Sequence, residues 1–296
     1  MEFIPAKQIL SSWSDGSTWF GSNYNMNVYK GCSHGCIYCD SRSECYRVQD
    51  FDRVRSKTDV LEILESELRK KRRKGLVSSG AMSDPYNPQE RTHRLTESTL
   101  KLLDRYGFGA SVLTKSDLVT RDLAIFQSIQ KHSPTAVKFT ITTADDLLAK
   151  RIEPHVAVSS DRFRSLSKAA DAGIFTGVNL WPILPFITDT TDNIRQIVRM
   201  AADNGAQYVC PSPNYGVTLR QNQRAYYYRQ LDRLFPGLKR RYQQIFGLSY
   251  ECRSPQGHEL QQALQEECQT HGLLYRMQDI AAAITERYRP KQLSLF

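Results

Sequence analysis

The chain has 296 residues, of which 40% are hydrophobic, and its 40 Lys and Arg against 31 Asp and Glu give a formal net charge of +9. This composition excludes a disordered or fibrous chain, and no apolar run reaches the roughly 18 residues that a membrane-spanning helix needs. The positive charge favours polyanionic partners, nucleic acid first, although it could also serve solubility alone.

The N-terminal sequence MEFIPAKQILSSWSDG lacks a basic region followed by an apolar stretch. We therefore expect no secretory signal, a cytoplasmic location and no association with a membrane. No internal repeat beyond the alternation described next, and no low-complexity segment, is present.

From residue 26 onward, short β-rich runs alternate with helical patterns. The predicted strands are 26–31, 76–81, 109–115, 136–142, 176–184 and 207–213, and the predicted helices are 58–74, 96–107, 119–132, 161–173, 190–205 and 219–235. Strands that alternate with helices pair in parallel through right-handed crossovers. Six such units are two short of a closed eight-fold barrel, so the pattern predicts an α/β fold of the partial (β/α)6 TIM-like type. We divide the chain into an N-terminal segment (1–25), the partial barrel (26–235), a helical C-terminal extension (236–289) and a tail (290–296).

Four of the seven cysteines lie between residues 29 and 46. In a large chain without a secretory signal, metal binding or catalysis explains such crowding better than disulfides do. Cys32, Cys36 and Cys39 have the spacing C-x3-C-x2-C and follow the first predicted strand, on the side of a barrel where active sites form. Three thiolates from one loop suit an iron–sulfur cluster, and a four-iron cluster held by three cysteines keeps one iron open for catalysis.

The alternative is a zinc site that adds Cys45 and His34 to the same three cysteines. Zinc ribbons use paired C-x2-C knuckles, and the loop contains only one such pair, Cys36 and Cys39. We therefore favour the cluster and expect Cys45 not to be a ligand.

The C-x3-C-x2-C spacing, with the aromatic Tyr38 before the last cysteine, resembles the signature of radical S-adenosylmethionine enzymes. In that family the open iron chelates S-adenosylmethionine, the reduced cluster passes an electron to the sulfonium, and a 5′-deoxyadenosyl radical abstracts hydrogen from the substrate. The resemblance implies a 4Fe-4S cluster on Cys32, Cys36 and Cys39, S-adenosylmethionine as second cofactor, and an electron donor such as flavodoxin or ferredoxin.

Within that superfamily, residues 25–215 resemble spore photoproduct lyase and its relatives. The resemblance depends on NVYKGCSHGCIYC, SGAMSDPYNPQE, LTKSDLVTRDL, KFTITT and AADAGIFTGVNLWPILP. It implies that Ser83 and Lys115 contact the carboxylate end of S-adenosylmethionine, that Thr142 faces its sugar or amino group, and that Tyr38 packs near the cofactor as part of the catalytic site. Taken without the resemblance, Ser83 suits an ordinary turn and Lys115 a solvated surface position.

Two positions depart from the lyases. Ala81 replaces their hydrogen-donating cysteine, and Asp40 replaces a tyrosine that follows the third cluster cysteine. Alanine cannot donate a hydrogen atom, so repair of spore photoproduct itself does not follow from the resemblance. Cys210, near the end of the sixth predicted strand, is a candidate for the hydrogen return, and its alternative role is that of a small buried hydrophobe. The exact reaction stays open.

Three stretches carry clustered basic residues, two of them interleaved with tyrosine: RKKRRK (69–74), RAYYYR (224–229) and LKRRYQQ (238–244). Basic side chains neutralise phosphates and tyrosines stack on bases. The candidate nucleic-acid contacts are Arg224, Tyr227, Arg229, Arg240 and Arg241. Three successive tyrosines cannot all point inward on one helix, so at least one is expected to be exposed. For 69–74, a solvated helix end is the preferred explanation.

The last residues of the sequence are QLSLF, after Pro290, which ends the preceding helical pattern. This segment resembles the bacterial sliding-clamp binding peptide, in which a glutamine anchors and a Leu–Phe pair fills a pocket. The candidate partner-binding residues are Gln292, Leu293, Leu295 and Phe296. The alternative is a strap folded onto the protein's own core. The sequence therefore predicts a radical enzyme acting on DNA, in lesion repair or base modification, with RNA or a peptide as the rival substrate and a non-catalytic metal-containing nucleic-acid binding protein as the rival class.

Overall fold

The computed structural model describes residues 2–13 and 19–288. The strands in these residues are β1 Glu2–Ile4, β2 Leu10–Ser12, β3 Tyr24–Met26, β4 Tyr29–Lys30, β5 Arg55–Lys57, β6 Leu76–Ser79, β7 Gly109–Thr114, β8 Thr135–Thr140, β9 Phe175–Leu180, β10 Tyr208–Pro211, β11 Gly216–Thr218 and β12 Glu251–Arg253. The helices are α1 Val60–Lys70, α2 Glu90–His93, α3 Leu95–Arg105, α4 Leu123–Gln130, α5 Asp146–Ile152, α6 Ser159–Asp171, α7 Thr191–Asp203, α8 Gln221–Leu234, α9 Leu238–Phe246, α10 Gly257–Thr270 and α11 Met277–Thr285. Short 3-10 turns occupy Trp19–Gly21, Asp40–Arg42, Glu44–Tyr46, Asp117–Asp122 and Glu286–Tyr288.

The main sheet has seven strands in the order β10-β9-β8-β7-β6-β3-β2. Six of them, β3, β6, β7, β8, β9 and β10, pair in parallel and follow chain order, while β2 adds an antiparallel edge to β3. Because each parallel strand lies beside the next one along the chain, every crossover helix lies on the same face and the sheet curls toward a barrel. The predicted partial (β/α)6 barrel is confirmed.

The sheet is covered by helices whose apolar residues recur at helical spacing. In α7, Ile194, Ile197, Val198 and Ala201 are all fully buried, and the Thr190 side chain caps the helix by accepting from the backbone N–H three residues on, at 3.2 Å. The strand β8 is buried along its whole length, as expected for a parallel strand covered on both faces. This packing fixes the carboxyl ends of the strands relative to one another. Among the described residues, no helix combines the length and the apolar character that a membrane crossing requires.

Residues 236–288, which belong to the predicted helical extension, are not purely helical. They contain α9, α10 and α11, but also β12, which pairs with β11 in a separate antiparallel ribbon. The helix α10 packs beside α7, in the outer layer, and α11 packs on the turn Trp19–Gly21. A three-residue strand carries no periodic signal, so the sequence gives no hint of the ribbon. The first barrel strand also begins earlier than predicted, at Tyr24, so it straddles the proposed boundary at residue 26.

Candidate active site at the carboxyl ends of the strands

One cavity of about 540 Å³ lies where the barrel strands end. Its walls come from the cysteine loop, from the end of β8 and from the loops that follow β6, β7, β9 and β10, which reach a common edge because parallel strands point the same way. Six predicted site residues meet there: Cys32, Cys36, Cys39, Tyr38, Ser83 and Lys115. Residues spread over more than 80 positions of sequence therefore share one space.

The cysteine loop owes its tight path to two glycines. Gly31 and Gly35 have positive φ angles of 85° and 73°. A Cβ on Gly31 would lie 2.6 Å from the carbonyl oxygen of Arg53, and one on Gly35 would lie 2.8 Å from Cδ2 of His155. Any larger residue would push the loop away from its neighbours, so the two glycines hold the thiols at the cavity.

The chemistry of the donors fits a group held by three thiolates. Burial, followed by the neighbouring Asp84 carboxylate, raises the pKa of Cys32 to about 12, and burial raises the pKa of Cys36 to about 12 and that of Cys39 to about 11. A bound metal deprotonates such thiols outright, so metal binding is the way they become charged. Cys45 is exposed and does not line the cavity.

No group of three or more His, Cys, Asp or Glu side chains in residues 2–13 and 19–288 is already gathered around a common metal position. Binding would thus require the cysteine side chains to rotate toward one another. Because three thiols, and not four, border the cavity, the donor set suits a cluster with one open iron better than a closed zinc site.

Asp84 connects three loops at the site. Its carboxylate accepts hydrogen bonds from the Thr114 hydroxyl (2.7 Å) and the Lys115 backbone N–H (2.8 Å), and it lies 3.6 Å from Nδ1 of His34 in the cysteine loop. The adjacent Ser83 is buried, and its hydroxyl donates to the carbonyl of Gly31. The sequence around Ser83 is therefore a turn and also a structural link to the cysteine loop.

Lys115 presents a cation to the cavity. Its ammonium lies 5.8 Å from the centroid of the Tyr38 ring, and within the described residues it forms no ion pair with a carboxylate. Burial lowers the pKa of Lys115, but the nearby Cys36 and Glu153 outweigh burial and the net shift is upward. The side chain is therefore charged and available to an anionic ligand.

Two predicted site residues do not line the cavity. The strand β8 ends at Thr140, which does line it, whereas Thr142 lies two residues farther on and is buried outside it. Cys210 is 4% exposed and packs with Phe20 and Tyr208 in a separate apolar cluster. The assignments of Thr142 to the cofactor and of Cys210 to hydrogen return are therefore corrected, because neither side chain reaches the cavity.

A buried charge pair beneath the cysteine loop was not predicted. The Tyr38 hydroxyl donates to Oε1 of Glu153, and Nη2 of Arg162 lies 2.5 Å from Oε2 of the same carboxylate. Both charged side chains have no exposed surface. Tyr38 lies 115 positions from Glu153, and Glu153 follows α5 while Arg162 lies on α6, so no local pattern reveals these contacts.

The mouth of the cavity carries an aromatic and basic group. Tyr250 lines the cavity and is 44% exposed, and Nη2 of Arg220 donates to its hydroxyl at 3.1 Å. The Arg220 guanidinium lies 4.9 Å from the Tyr250 ring and 5.7 Å from the Tyr46 ring. The Tyr46 hydroxyl in turn donates to Asp40 at 2.7 Å. Asp40, which also lies 3.4 Å from Nε of Arg220, therefore links the residues of the rim.

The predicted nucleic-acid contacts divide into two groups. Tyr227 is fully buried, and Arg224 is largely buried with Nη2 donating to the carbonyls of residues 219, 248 and 249, so these two predictions are wrong. Arg229, Arg240 and Arg241 are exposed. None of the three successive tyrosines is fully exposed: two are buried, and Tyr226 is half-buried under the Arg42 guanidinium at 4.2 Å. The predicted clamp-binding residues 292–296 lie outside the described residues.

Comparison with known proteins identifies the class. Residues 26–209, more than half of the chain, match the family model of the radical SAM superfamily. The chain belongs to that superfamily, whose enzymes use a 4Fe-4S cluster and S-adenosylmethionine. The predicted family and cofactors are thereby confirmed.

Its curated relatives are themselves uncharacterized. A protein of Mycobacterium tuberculosis is 30% identical over 230 residues, covering 75% of this chain and 67% of the relative. One of Methanocaldococcus jannaschii is 34% identical over 169 residues, covering 57% of this chain and 63% of the relative. Among solved structures, a spore photoproduct lyase mutant superposes with a TM-score of 0.66 at 14% identity, over 91% of this chain and 78% of that one. The lyase complexed with dinucleoside spore photoproduct gives 0.65 at 13% identity, over 91% and 79%. At these identities the likeness to the lyase shows the fold alone.

Proposed function

We propose that this radical SAM protein is an enzyme acting on DNA, in lesion repair or base modification, with its cluster on Cys32, Cys36 and Cys39. The observation that carries the proposal is one cavity shared by three thiols, Ser83 and the Lys115 ammonium. When bound, the cluster and S-adenosylmethionine supply a 5′-deoxyadenosyl radical. The alternatives are a radical SAM enzyme acting on RNA or a peptide and a metal-containing binding protein without turnover.

In this proposal the chain's own residues bind and orient S-adenosylmethionine. The Lys115 ammonium suits the carboxylate of S-adenosylmethionine as a compact, strongly hydrated charge. Ser83 keeps the cysteine loop in place through Gly31 and leaves its hydroxyl lone pairs free for a donor on the ligand. Trp19 and Trp181, whose ring centroids are 4.9 Å apart, supply an apolar wall that limits water around a reactive radical.

The decisive experiment is anaerobic purification with iron and sulfide analysis, followed by reduction and a test for 5′-deoxyadenosine with and without DNA. We expect about four irons per chain and 5′-deoxyadenosine in the reduced sample. A protein that binds nucleic acid, holds one zinc and releases no 5′-deoxyadenosine would instead be the non-catalytic alternative.

Lys115→Ala and Ser83→Ala should retain the cluster and bind S-adenosylmethionine more weakly. The lysine variant loses a charge-assisted contact worth about 1.5–3 kcal/mol, or roughly 10- to 150-fold in affinity. Anaerobic calorimetry on the reconstituted proteins measures the effect. Lys150→Ala, an exposed lysine on α5, is the control and should bind like wild type. Unchanged affinity in both site variants would show that the cofactor is held elsewhere.

Three features support a nucleic-acid substrate. The net charge is +9. Arg229, Arg240 and Arg241 are exposed on α8 and α9, and the pair of Arg220 and Tyr250 stands at the cavity mouth, where a base could stack. The Arg241 guanidinium lies 3.8 Å from the Phe186 ring, which keeps this basic side chain oriented while it remains exposed.

Affinity for DNA should fall steeply with salt, because contacts to phosphate release counterions. Replacing Arg229 and Arg240 by Ala should reduce the slope of log K against log salt by about 0.9 for each lost contact on a duplex. Filter binding or anisotropy across a salt series measures it. Arg164→Ala on α6, an exposed arginine paired with Asp161, should leave the slope unchanged. Absence of binding at low salt would favour a peptide substrate, and tighter binding of RNA would favour the RNA alternative.

We further propose that Gln292, Leu293, Leu295 and Phe296 bind the bacterial sliding clamp and bring the enzyme to replicated or repaired DNA, and that flavodoxin or ferredoxin reduces the cluster. The support for clamp binding is the match of QLSLF to the clamp peptide at all five positions.

A further inference from the structure

The cysteine loop rests on a short segment at the end of α5. The backbone N–H of Ile37 donates to the carbonyl of Ile152 at 3.0 Å, and the N–H of His155 donates to the carbonyl of His34 at 3.1 Å. Between these two bonds lies Glu153, whose carboxylate accepts from Tyr38. The carboxylate is therefore fixed directly against the loop that carries Cys36.

Arg162 balances this carboxylate from α6. Besides its ion pair with Glu153, its guanidinium donates to the carbonyl of Ala157 at 2.8 Å and to that of Thr140 at 2.9 Å. The cation is thereby tied to the end of β8 at the cavity wall. Rotation of Arg162 would break two hydrogen bonds and the ion pair, and rotation of Glu153 would break the ion pair and the hydrogen bond from Tyr38, so both charges are held in position.

Stability alone is a weak reason for such a pair. Burying two charges costs several kcal/mol per ion, and apolar replacements of buried pairs are often neutral or stabilising. A pair placed under the metal-binding loop, however, also acts on the loop electrostatically. The Glu153 carboxylate accepts from Tyr38, which lies two residues from Cys36, and the Arg162 guanidinium pairs with that carboxylate. The two members of the pair therefore place charges of opposite sign against the same loop.

We propose that the buried Glu153–Arg162 pair sets the reduction potential of a cluster bound at Cys32, Cys36 and Cys39, with Glu153 lowering the potential and Arg162 raising it. The step concerned is the gain of one electron by the cluster from a donor of the flavodoxin or ferredoxin class, and no bond forms or breaks. Reduction adds negative charge, so a nearby anion opposes it and a nearby cation favours it. Net charge and hydrogen bonding around a cluster are the means by which proteins tune its potential.

The test is an EPR-monitored redox titration of the reconstituted protein without S-adenosylmethionine. Glu153→Gln should shift the midpoint potential upward and Arg162→Met should shift it downward, while the double variant should lie between them. The matched control is Glu90→Gln. Glu90 is likewise fully buried, accepts from Tyr29 (2.5 Å) and pairs with Arg121 (2.7 Å), but none of the three lines the cavity. The control variant Glu90→Gln should leave the midpoint potential close to that of wild type.

The inference about the reduction potential rests on the proposed cluster site, and iron analysis distinguishes failure of the one from failure of the other. A wild-type protein without four irons contradicts the proposed function, whereas unchanged potentials in fully loaded Glu153 and Arg162 variants overturn only the inference. Shifts of the same sign in both also overturn it. Should one single variant load poorly, the other single variant is compared with the double variant. The proposal then requires the loaded single variant to shift in its stated direction and the double variant to lie closer to wild type; equal potentials in the two variants overturn it.

Discussion

Replacing Cys32, Cys36 or Cys39 by Ala is expected to abolish iron binding, whereas Cys45→Ala should keep about four irons per chain. In the proposed site each of the three supplies one thiolate, so the loss of any one is expected to leave the cluster with too few protein ligands to be retained. Cys45 is exposed and borders no part of the cavity, so its loss removes no ligand. Iron and sulfide determination with the visible absorption spectrum after anaerobic reconstitution measures the effect.

Cys210→Ala is a second control for the same experiment, because Cys210 is buried in a different cluster of apolar residues. It should retain the iron, and any loss of stability should reflect packing alone. Loss of iron in Cys45→Ala together with retention in one of the three loop variants would assign the ligands differently. One tightly bound zinc in place of iron would contradict the cluster altogether.

Much of the fold could be predicted because the strand–helix alternation is a local signal repeated six times. The helix α7, for example, was predicted at 190–205 and runs from Thr191 to Asp203, since a threonine cap and an apolar stripe mark it. The helix α5, of only 7 residues, was missed: it follows β8 directly and is too short for its periodicity to be distinguished. The ribbon of β11 and β12 depends on pairing across more than 30 residues, which no local pattern reveals.

The part of the site that lies within one short stretch of sequence could be predicted. The cysteines and Tyr38 lie within eight consecutive residues, and the structure brings them to the same cavity as Ser83 and Lys115. Thr142 was misassigned because the strand was extended by two residues, and two residues beyond the strand end the side chain has left the cavity wall. Long-range partners such as Arg162 could not be found this way.

The errors on α8 were avoidable from periodicity. Residues 223, 227 and 231 recur at i, i+4 and i+8, and all three are fully buried. That stripe fixes which side of the helix faces the core. Tyr227 belongs to it, and its hydroxyl lies 3.0 Å from that of Tyr242. On a helix the spacing of the residues decides their exposure, whatever basic and aromatic side chains the run contains.

Deleting residues 292–296 should abolish binding to the sliding clamp while the fold and the iron content stay intact. The six strand–helix units supply the core, and Pro290 separates the segment from the preceding helical pattern. A few buried apolar anchors usually dominate an interface of this kind, and Leu295 and Phe296 are the anchors that the peptide offers.

The isolated contact should be weak, because a short peptide loses conformational entropy when it becomes ordered; a dissociation constant in the micromolar range, about −8 kcal/mol, is expected. A chain of unchanged length with Leu295→Ser and Phe296→Ser should fail to bind as completely as the deletion does, which separates loss of anchors from loss of length. The competing model, a strap folded onto the protein's own core, predicts the opposite pattern: truncation would lower the melting temperature and leave any clamp binding unchanged. Measuring the melting temperature and the clamp affinity on the same truncated protein therefore distinguishes the two models. A peptide that is packed on the core is not available to a partner. A peptide that is available to a partner adds little to the stability of the core.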